Sequence, residues 1–581
     1  MRDSEDHTFA THDGESLFYR RWPPLTRSRR GAIALFHRGY EHGGRMAHLV
    51  DELDLPDFDF YAWDARGHGQ SPGARGDAPS IGSSARDIQT FVDHLCATWQ
   101  LTEPDIAVVA QSVGAVLASV WAHDYAPRIR CQILASPAFK VKLYVPFARP
   151  GLRLWRRLRG NFYVNSYVKS KFLTHDPERQ ASFDADPLIS RAISVNILLG
   201  LYDAAERVVA DASAITIPTQ LLISGDDWVV HHWPQHAFFA RLGTTEKEAH
   251  LLPGFYHDTF GEKNRADAVG KARDFLLRQF AKPLERPNLR GEDKRGYTFE
   301  EARKLAVTLP PLSPKALYWR VYRFLLKQAG HLSEGIRLGH RTGFDSGSSL
   351  DYIYRDTASG AGPVGRLIDR VYLDAIGWRG IRQRKRHLEE LLRKTIDLLH
   401  EQSRPLRILD IAAGHGRYVL DAIASGPRPE AILLRDFSEL NVEKGRALIA
   451  ERKLEAIARF ERGDAFDRAS LAALTPKATI GIVSGLYELF GDNDLLAASL
   501  AGLFGAIEEG GYLIYTGQPW HPQLEMIARA LTSHREGQPW VMRRRTQAEM
   551  DQLVREAGFE KLTERIDEWG IFSVSLARRV S

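Results

Sequence analysis

The chain has two cysteines in 581 residues, Cys96 and Cys131. Two cannot build a disulfide framework and suit a reducing compartment. No apolar run reaches the roughly 18 residues that a membrane-spanning helix needs. The opening stretch MRDSEDHTFATHDGE is acidic and lacks the apolar core of a secretory signal, so none is expected. Strong charge of one sign is missing too: 78 Lys and Arg stand against 73 Asp and Glu, a net +5. That is only a weak pull toward acidic partners. There is no internal repeat and no low-complexity tract. What is present is ordinary globular composition, 44% apolar and 26% charged. The length is too great for one core and fits about three or four domain-sized units. These absences lead to a soluble, cytoplasmic globular protein as the expectation.

Two stretches, about 1–280 and 400–581, alternate strand-like and helix-like patterns. Such alternation predicts parallel sheets covered by helices on both faces. The fold class expected is therefore α/β, with two doubly wound domains. Between them, KPLERPNLRGEDKRG (282–296) is rich in charge, Pro and Gly. The expected division is 1–281, a linker and helical connector over 282–349, and a second domain over 350–581. Helical patterns include 312–330, and residues 370–399 read as a long basic amphipathic helix. A Gly/Ser-rich loop lies at 339–349.

DIAVVAQSVGAVLASVWA (105–122) is a buried strand, a turn and a helix. It approximates the G-x-S-x-G nucleophile elbow, with Ser112 as nucleophile and Gly114 after it. Ala110 stands where the upstream glycine belongs. The elbow demands small residues two before and two after the serine, and alanine adds one methyl. Val113 N–H would then face a developing oxyanion. An acid and a histidine follow in the order Ser, acid, His. TQLLISGDDWVV (219–230) ends a strand in acids, and HLLPGFYHDTFGE (250–262) places His257 in a loop. His257 would act as base and Asp227 would orient it. Asp226 is the competing acid.

With FHRGYEHGGR (36–45), WDARGHGQSPGARG (63–76) and FLTHDPERQASFDADPLIS (172–190), this segment resembles the monoacylglycerol lipase and lysophospholipase group of α/β-hydrolases. The resemblance spans about residues 8–280. It implies a second oxyanion donor from Gly39 or Arg38 and a cap over 139–205. Arg38 and Tyr40 depart from the small residues usual there. Asp64 and His68 are read as loop-fixing. From Phe139 to Phe172 there are nine Lys or Arg and no acid, interleaved with Tyr144, Phe147, Trp155, Phe162, Tyr163 and Tyr167. The cap is either a solvated cover or a peripheral surface for anionic lipid at the inner membrane face.

LRILDIAAGHGRYVLDAI (406–423) is a strand ending in Asp410, a glycine loop, then a helix. Val419 occupies the third glycine position of a dinucleotide fingerprint, which disfavours a pyrophosphate. A second strand ends in Asp436, placed for ribose hydroxyls, and a third in Asp464, placed for an adenine amino group. Two more strands and a terminal hairpin follow. This half resembles the class I S-adenosylmethionine-dependent methyltransferases over about 350–581. The resemblance implies that cofactor, held by Asp410, Ala412, Gly414, Gly416, Asp436 and Asp464. Ala412 replaces the first loop glycine. VSGLYELF lacks the Asn/Asp-Pro-Pro-aromatic run of DNA amino-methylating enzymes, so nucleic acid is not expected. GFDSGSSLDYIYRD (343–356) either folds over the cofactor or acceptor or is a connector. His231, His232 and His236 lack a supporting carboxylate pattern, and no metal is expected.

The expected whole is a bifunctional enzyme, a serine ester hydrolase of lipid-like esters joined to a methyltransferase with an unassigned acceptor. The alternative is a methyltransferase with a non-catalytic, hydrolase-like module that binds lipid or a partner. A third reading makes the hydrolase a peptidase or small-ester esterase.

Overall fold

A computed structural model describes every residue except Met1, Leu143, Tyr144, Pro146, Ser425, Glu536 and Ser581. Tyr144, one of the cap aromatics named above, therefore lies outside the described residues. The chain forms two compact units that divide between Pro287 and Asn288.

The first unit is built on an eight-stranded sheet. In spatial order its strands are Glu5–Ala10, Ser16–Trp22, Phe58–Trp63, Gly31–Phe36, Ile106–Gln111, Cys131–Ala135, Thr219–Ser224 and Lys247–Leu252. The first two are antiparallel to their neighbours and the rest run parallel. Sequence explains why the middle is parallel: IAVVAQ, CQILA and TQLLIS are buried along their whole length. Strands covered on both faces read as continuous apolar runs, without alternation. Between Ala135 and Thr219 the chain leaves the sheet to form a cap. It contains helices Ala148–Arg159, Pro177–Ala185 and Val195–Ala210 and a small ribbon pairing Tyr163–Asn165 with Ala192–Ser194.

The second unit is built on seven strands in the order Ala458–Arg462, Ala431–Asp436, Arg407–Ile411, Ala478–Val483, Ile507–Gly517, Ser573–Arg579 and Phe559–Ile566. By position along the chain this is 3-2-1-4-5-7-6. Only the last strand along the chain, Ser573–Arg579, runs antiparallel to its neighbours. The dinucleotide-binding order 3-2-1-4-5-6 differs by lacking that inserted strand. The order reverses between Arg407–Ile411 and Ala478–Val483, and ligands of such sheets bind at that switch point.

Helix Ile376–Glu401 covers this sheet. Its buried Leu388, Leu391, Leu392, Ile396 and Leu399 recur at helical spacing and pack on Ile408, Ile432 and Ile480. The stretch read as a linker and connector over 282–349 does not stand apart from the second unit. Ile336 and Phe344 share an apolar cluster with Trp378, Leu531, Trp540 and Phe572, so its helices belong to the second unit from Asn288 on. Among the described residues no helix is long and apolar enough to cross a membrane.

Candidate active sites

Strand Ile106–Gln111 enters a sharp turn and leaves as helix Val113–Tyr125. Ser112 sits at the turn with φ 55° and ψ −115°. A non-glycine residue there stores roughly 1–3 kcal/mol of strain, and Ser112 N–H to Ala135 O (2.9 Å) helps to hold it. Gly114 is required by space, since a Cβ there would lie 2.4 Å from His37 O. Ala110 is different. It lies inside the regular strand, paired with Phe36 and Leu134, and its methyl is buried. No unusual φ is needed at 110, so alanine fits.

Ser112 Oγ lies 2.7 Å from His257 Nε2, and His257 Nδ1 lies 2.7 Å from Asp227 Oδ2. The carboxylate can only accept, so Nδ1 carries the proton and Nε2 accepts from the serine hydroxyl. Asp227 Oδ1 also accepts from Val229 and Val230 N–H at 2.7 and 2.9 Å. Burial pushes the Asp227 carboxyl up, but His257 and these two N–H groups outweigh it and hold the carboxyl below the usual range. Asp226 is exposed at the surface of the same turn.

Gly39 approaches the elbow so closely that a Cβ would meet Val113 Cγ2 at 2.9 Å. Gly39 and Val113 thus stand beside the serine. Arg38 is buried, and its guanidinium is engaged elsewhere. Its Nε donates to Glu41 at 2.9 Å, and it lies 3.4 Å from Asp258. Tyr40 has φ 71° and lines the cavity above Ser112. Asp64 accepts from Gly43 and Gln70 N–H (2.7 and 2.8 Å), tying loops together.

Sequence reasoning missed a cluster around Asp258. Gln111, the residue before the serine, donates to Asp258 at 3.0 Å, and Arg179 of the cap donates at 3.1 Å. This buried carboxyl is raised by desolvation and lowered further by Arg38 and Arg179, with a net fall below its ordinary range. It joins the Ser112 turn, the loop of Arg38 and the cap. The adjacency of Asp258 to His257 was the available signal.

Above Ser112 is a cavity of ≈ 600 Å³. Its walls are largely apolar and come from the cap, including Val145, Leu152, Trp155, Leu198 and Leu201.

In the second unit the glycine loop follows strand Arg407–Ile411. Ala412, Gly414 and Gly416 all have positive φ (58°, 60° and 72°). Alanine in that region costs roughly 1–2 kcal/mol. A Cβ on Gly416 would meet Leu434 Cδ1 at 2.4 Å. Asp436 accepts from Gly414 N–H (2.9 Å), Ser438 N–H (2.9 Å) and Asn441 Nδ2 (3.0 Å), which fixes the loop against the second strand. Asp464 is exposed at the carboxyl end of the third strand and accepts from Phe466 N–H at 2.8 Å.

Asp410 is fully buried against the Tyr418 hydroxyl. Burial raises its carboxyl well above the ordinary value. Helix Gly347–Arg355 packs on the loop: Asp351 pairs with Arg417 (2.5 Å), and Gly347 Cα is 3.8 Å from where a Cβ of Gly414 would be. A cradle of positive-φ residues with Asp436 at its edge leaves room for a small hydroxylated ligand.

The two sheets define an α/β-hydrolase followed by a methyltransferase of the class I topology. Residues 272–579 match the family model described as "Putative methyltransferase", and residues 27–264 match that described as "Serine aminopeptidase, S33". The chain belongs to the first of these families, whose model spans more than half of it, and carries the hydrolase domain ahead of it. It is 58% identical over 574 residues to the uncharacterized protein YnbC of Escherichia coli K12, covering 99% of this chain and 98% of that one. The first unit is 26% identical over 260 residues to a monoacylglycerol lipase of Mycolicibacterium smegmatis, covering 44% of this chain and 91% of the lipase. A solved monoacylglycerol lipase from Paleococcus ferrophilus aligns with a TM-score of 0.42 and 23% identity, over 45% of this chain and 99% of that one. The protein is thus an enzyme that joins a serine-hydrolase-family domain to a methyltransferase domain.

Proposed function

We propose that the first unit is a serine ester hydrolase acting on monoacylglycerol- or lysophospholipid-like esters. The hydrogen-bonded series Ser112–His257–Asp227 at the floor of an apolar ≈ 600 Å³ cavity carries this reading. Ser112 Oγ attacks the ester carbonyl as His257 Nε2 takes its proton. Asp227 stabilises the imidazolium. The backbone N–H groups of Val113 and Gly39 receive the oxyanion. His257 then protonates the leaving alcohol, and water releases the acyl group by the reverse sequence. The non-catalytic module rested on Arg38 and Tyr40, and the engagement of Arg38 with Glu41 and Asp258 removes its main support.

The second unit is read as using S-adenosylmethionine, with Asp410, Ala412, Gly414, Gly416, Asp436 and Asp464 around it. That cofactor supplies an electrophilic methyl group. The chain's contribution is to hold donor and acceptor in line, since alignment matters more than acid–base help.

The cap is read as the contact with anionic membrane. Helix Ala148–Arg159 buries no residue and exposes Leu154, Trp155 and Leu158 among arginines.

The test of the hydrolase is turnover of the full chain on p-nitrophenyl esters and monoacylglycerols of increasing chain length. Turnover is expected to rise with chain length. Ser112→Ala is expected to lower it about 10⁴- to 10⁶-fold. Equal rates in the two proteins would sink the assignment.

A further inference from the structure

The second unit holds a separate cavity of ≈ 330 Å³ beyond the carboxyl ends of strands Ala478–Val483 and Ile507–Gly517. That size suits a small molecule, at the low end of the ~300–1,000 Å³ range of ligand sites. Its walls are mostly apolar: Trp378, Ile381, Met526, Trp540, Met542 and Phe572. Its polar lining is short and clustered in type. Arg384, Glu488, Gln518 and His521 are all more than nine-tenths buried.

Three of these hold buried atoms without a hydrogen-bond partner, namely Arg384 Nε, Glu488 Oε2 and Gln518 Nε2. A native interior rarely leaves such groups unmatched, because each costs roughly 1–3 kcal/mol. His521 is oriented as a donor. Its Nδ1 accepts from Gln523 N–H (3.0 Å), which leaves the proton on Nε2. Burial keeps that ring neutral, with its pKa near 3. Gly377 makes room for it, since a Cβ there would come within 3.0 Å of Nε2.

The charges select the head group. Arg384 and Glu488 face each other at 3.4 Å and cancel. Glu488 Oε1 accepts from Thr516 at 2.8 Å, leaving Oε2 over. Asp345, the other acid in the lining, is taken by Ser533 and by His534 N–H, each at 2.6 Å. A carboxylate ligand would be repelled by Glu488, which stands beside Arg384, the one cation among the described lining residues. A cationic ligand would be repelled by Arg384, which stands beside that acid. A neutral hydroxyl matches: one O–H for Glu488 Oε2, and oxygen lone pairs for Gln518 or His521 donors.

The apolar surface continues outward. Tyr322, Leu326 and Val371 line the cavity, and their helices expose Leu317, Val321, Phe324, Leu325, Val364 and Leu367.

We propose that this cavity is the methyl-acceptor site and that it takes an apolar molecule bearing a neutral hydroxyl, which is converted to a methyl ether. The inference rests on the methyltransferase reading above. The acceptor oxygen forms the new C–O bond while the sulfonium C–S bond breaks, and that electron pair stays on sulfur. The hydroxyl proton passes to Glu488 Oε2. Glu488 touches the acceptor and is a catalytic residue; Gln518 and His521 position the oxygen.

The experiment uses the full chain with a dodecanol carrying a chain-borne diazirine. After irradiation, labelled peptides are mapped by mass spectrometry, with 1-dodecanol, dodecanoate and dodecylammonium as competitors. Label is expected on peptides within 371–384 and 518–542, and dodecanol is expected to compete at least tenfold better than either ion. Label confined to the hydrolase cavity, or dodecanoate competing as well as dodecanol, overturns the proposal. Gln518→Leu is expected to weaken dodecanol competition severalfold while the label stays in place; unchanged competition counts against the polar array. Glu488→Gln is expected to keep the label and lose methyl transfer by about 10²-fold or more. S-adenosylmethionine binding, followed by calorimetry in the same protein, separates the failures. Its loss would sink the methyltransferase reading, whereas its presence without labelling here sinks only the acceptor site.

Discussion

At the scale of single residues, two neighbouring aspartates have opposite fates. Asp227 is buried against His257 and Asp226 is exposed. Asp227→Asn is expected to lower ester turnover by about 10⁴-fold, and Asp226→Asn by less than about twofold; kcat measured for both variants checks this. His37 offers a pH-dependent prediction. Its Nδ1 donates to Arg38 O (2.6 Å) and its Nε2 accepts from Ala65 N–H (3.0 Å), so only the neutral ring satisfies both. Burial lowers its pKa to about 4, and that of neighbouring His68 likewise. The unfolded chain binds these protons more readily. Stability is therefore at its plateau above roughly pH 6.5 and is lost as pH falls toward 4, by up to about 1.4 kcal/mol per unit per ring. Urea unfolding between pH 7 and 4 should show this slope, and His37→Gln should reduce it.

At the scale of elements, the serine elbow was legible because strand, turn and helix are contiguous, and each constrains the next. Ser112, Asp227 and His257 are brought together as their order in the chain implies. Ala110 caused doubt in the sequence because the glycine pattern does not say which glycine is needed for φ and which for space. Here the strain falls on Ser112 and the crowding on Gly114, and position 110 is plain strand. The acceptor-site residues could not be read in this way. Arg384, Glu488, Gln518 and His521 come from a long helix and two loops, and no spacing links them. The cap helix is a further element with a testable role. Arg156 and Arg157 lie beside exposed Leu154, Trp155 and Leu158. Each basic residue near an anionic surface contributes about 1 kcal/mol. Arg156→Glu combined with Arg157→Glu is expected to weaken binding to phosphatidylglycerol vesicles at least tenfold, with ester turnover on soluble substrates unchanged. Vesicle co-sedimentation at low and high salt would check it.

At the scale of the whole molecule, the two α/β sheets were legible as two, because their strand and helix periodicities are separated by a charged, Pro-rich stretch. Their limits were less so. The helices after Asn288 have polar faces that read as a connector, and their apolar faces acquire meaning only once Trp378 and Trp540 are beside them. Each unit contains its own full set of candidate residues. Ser112→Ala is accordingly expected to leave S-adenosylmethionine affinity within about twofold, and Gly416→Ala to abolish it while ester turnover persists; calorimetry and ester assays on both variants test that separation. The tie between Asp351 and Arg417 has one more consequence. It fastens helix Gly347–Arg355 over the glycine loop, with Asp351 almost wholly buried. Asp351→Asn would free that helix from the loop and is expected to shorten the residence time of a molecule seated there, read as a faster dissociation rate.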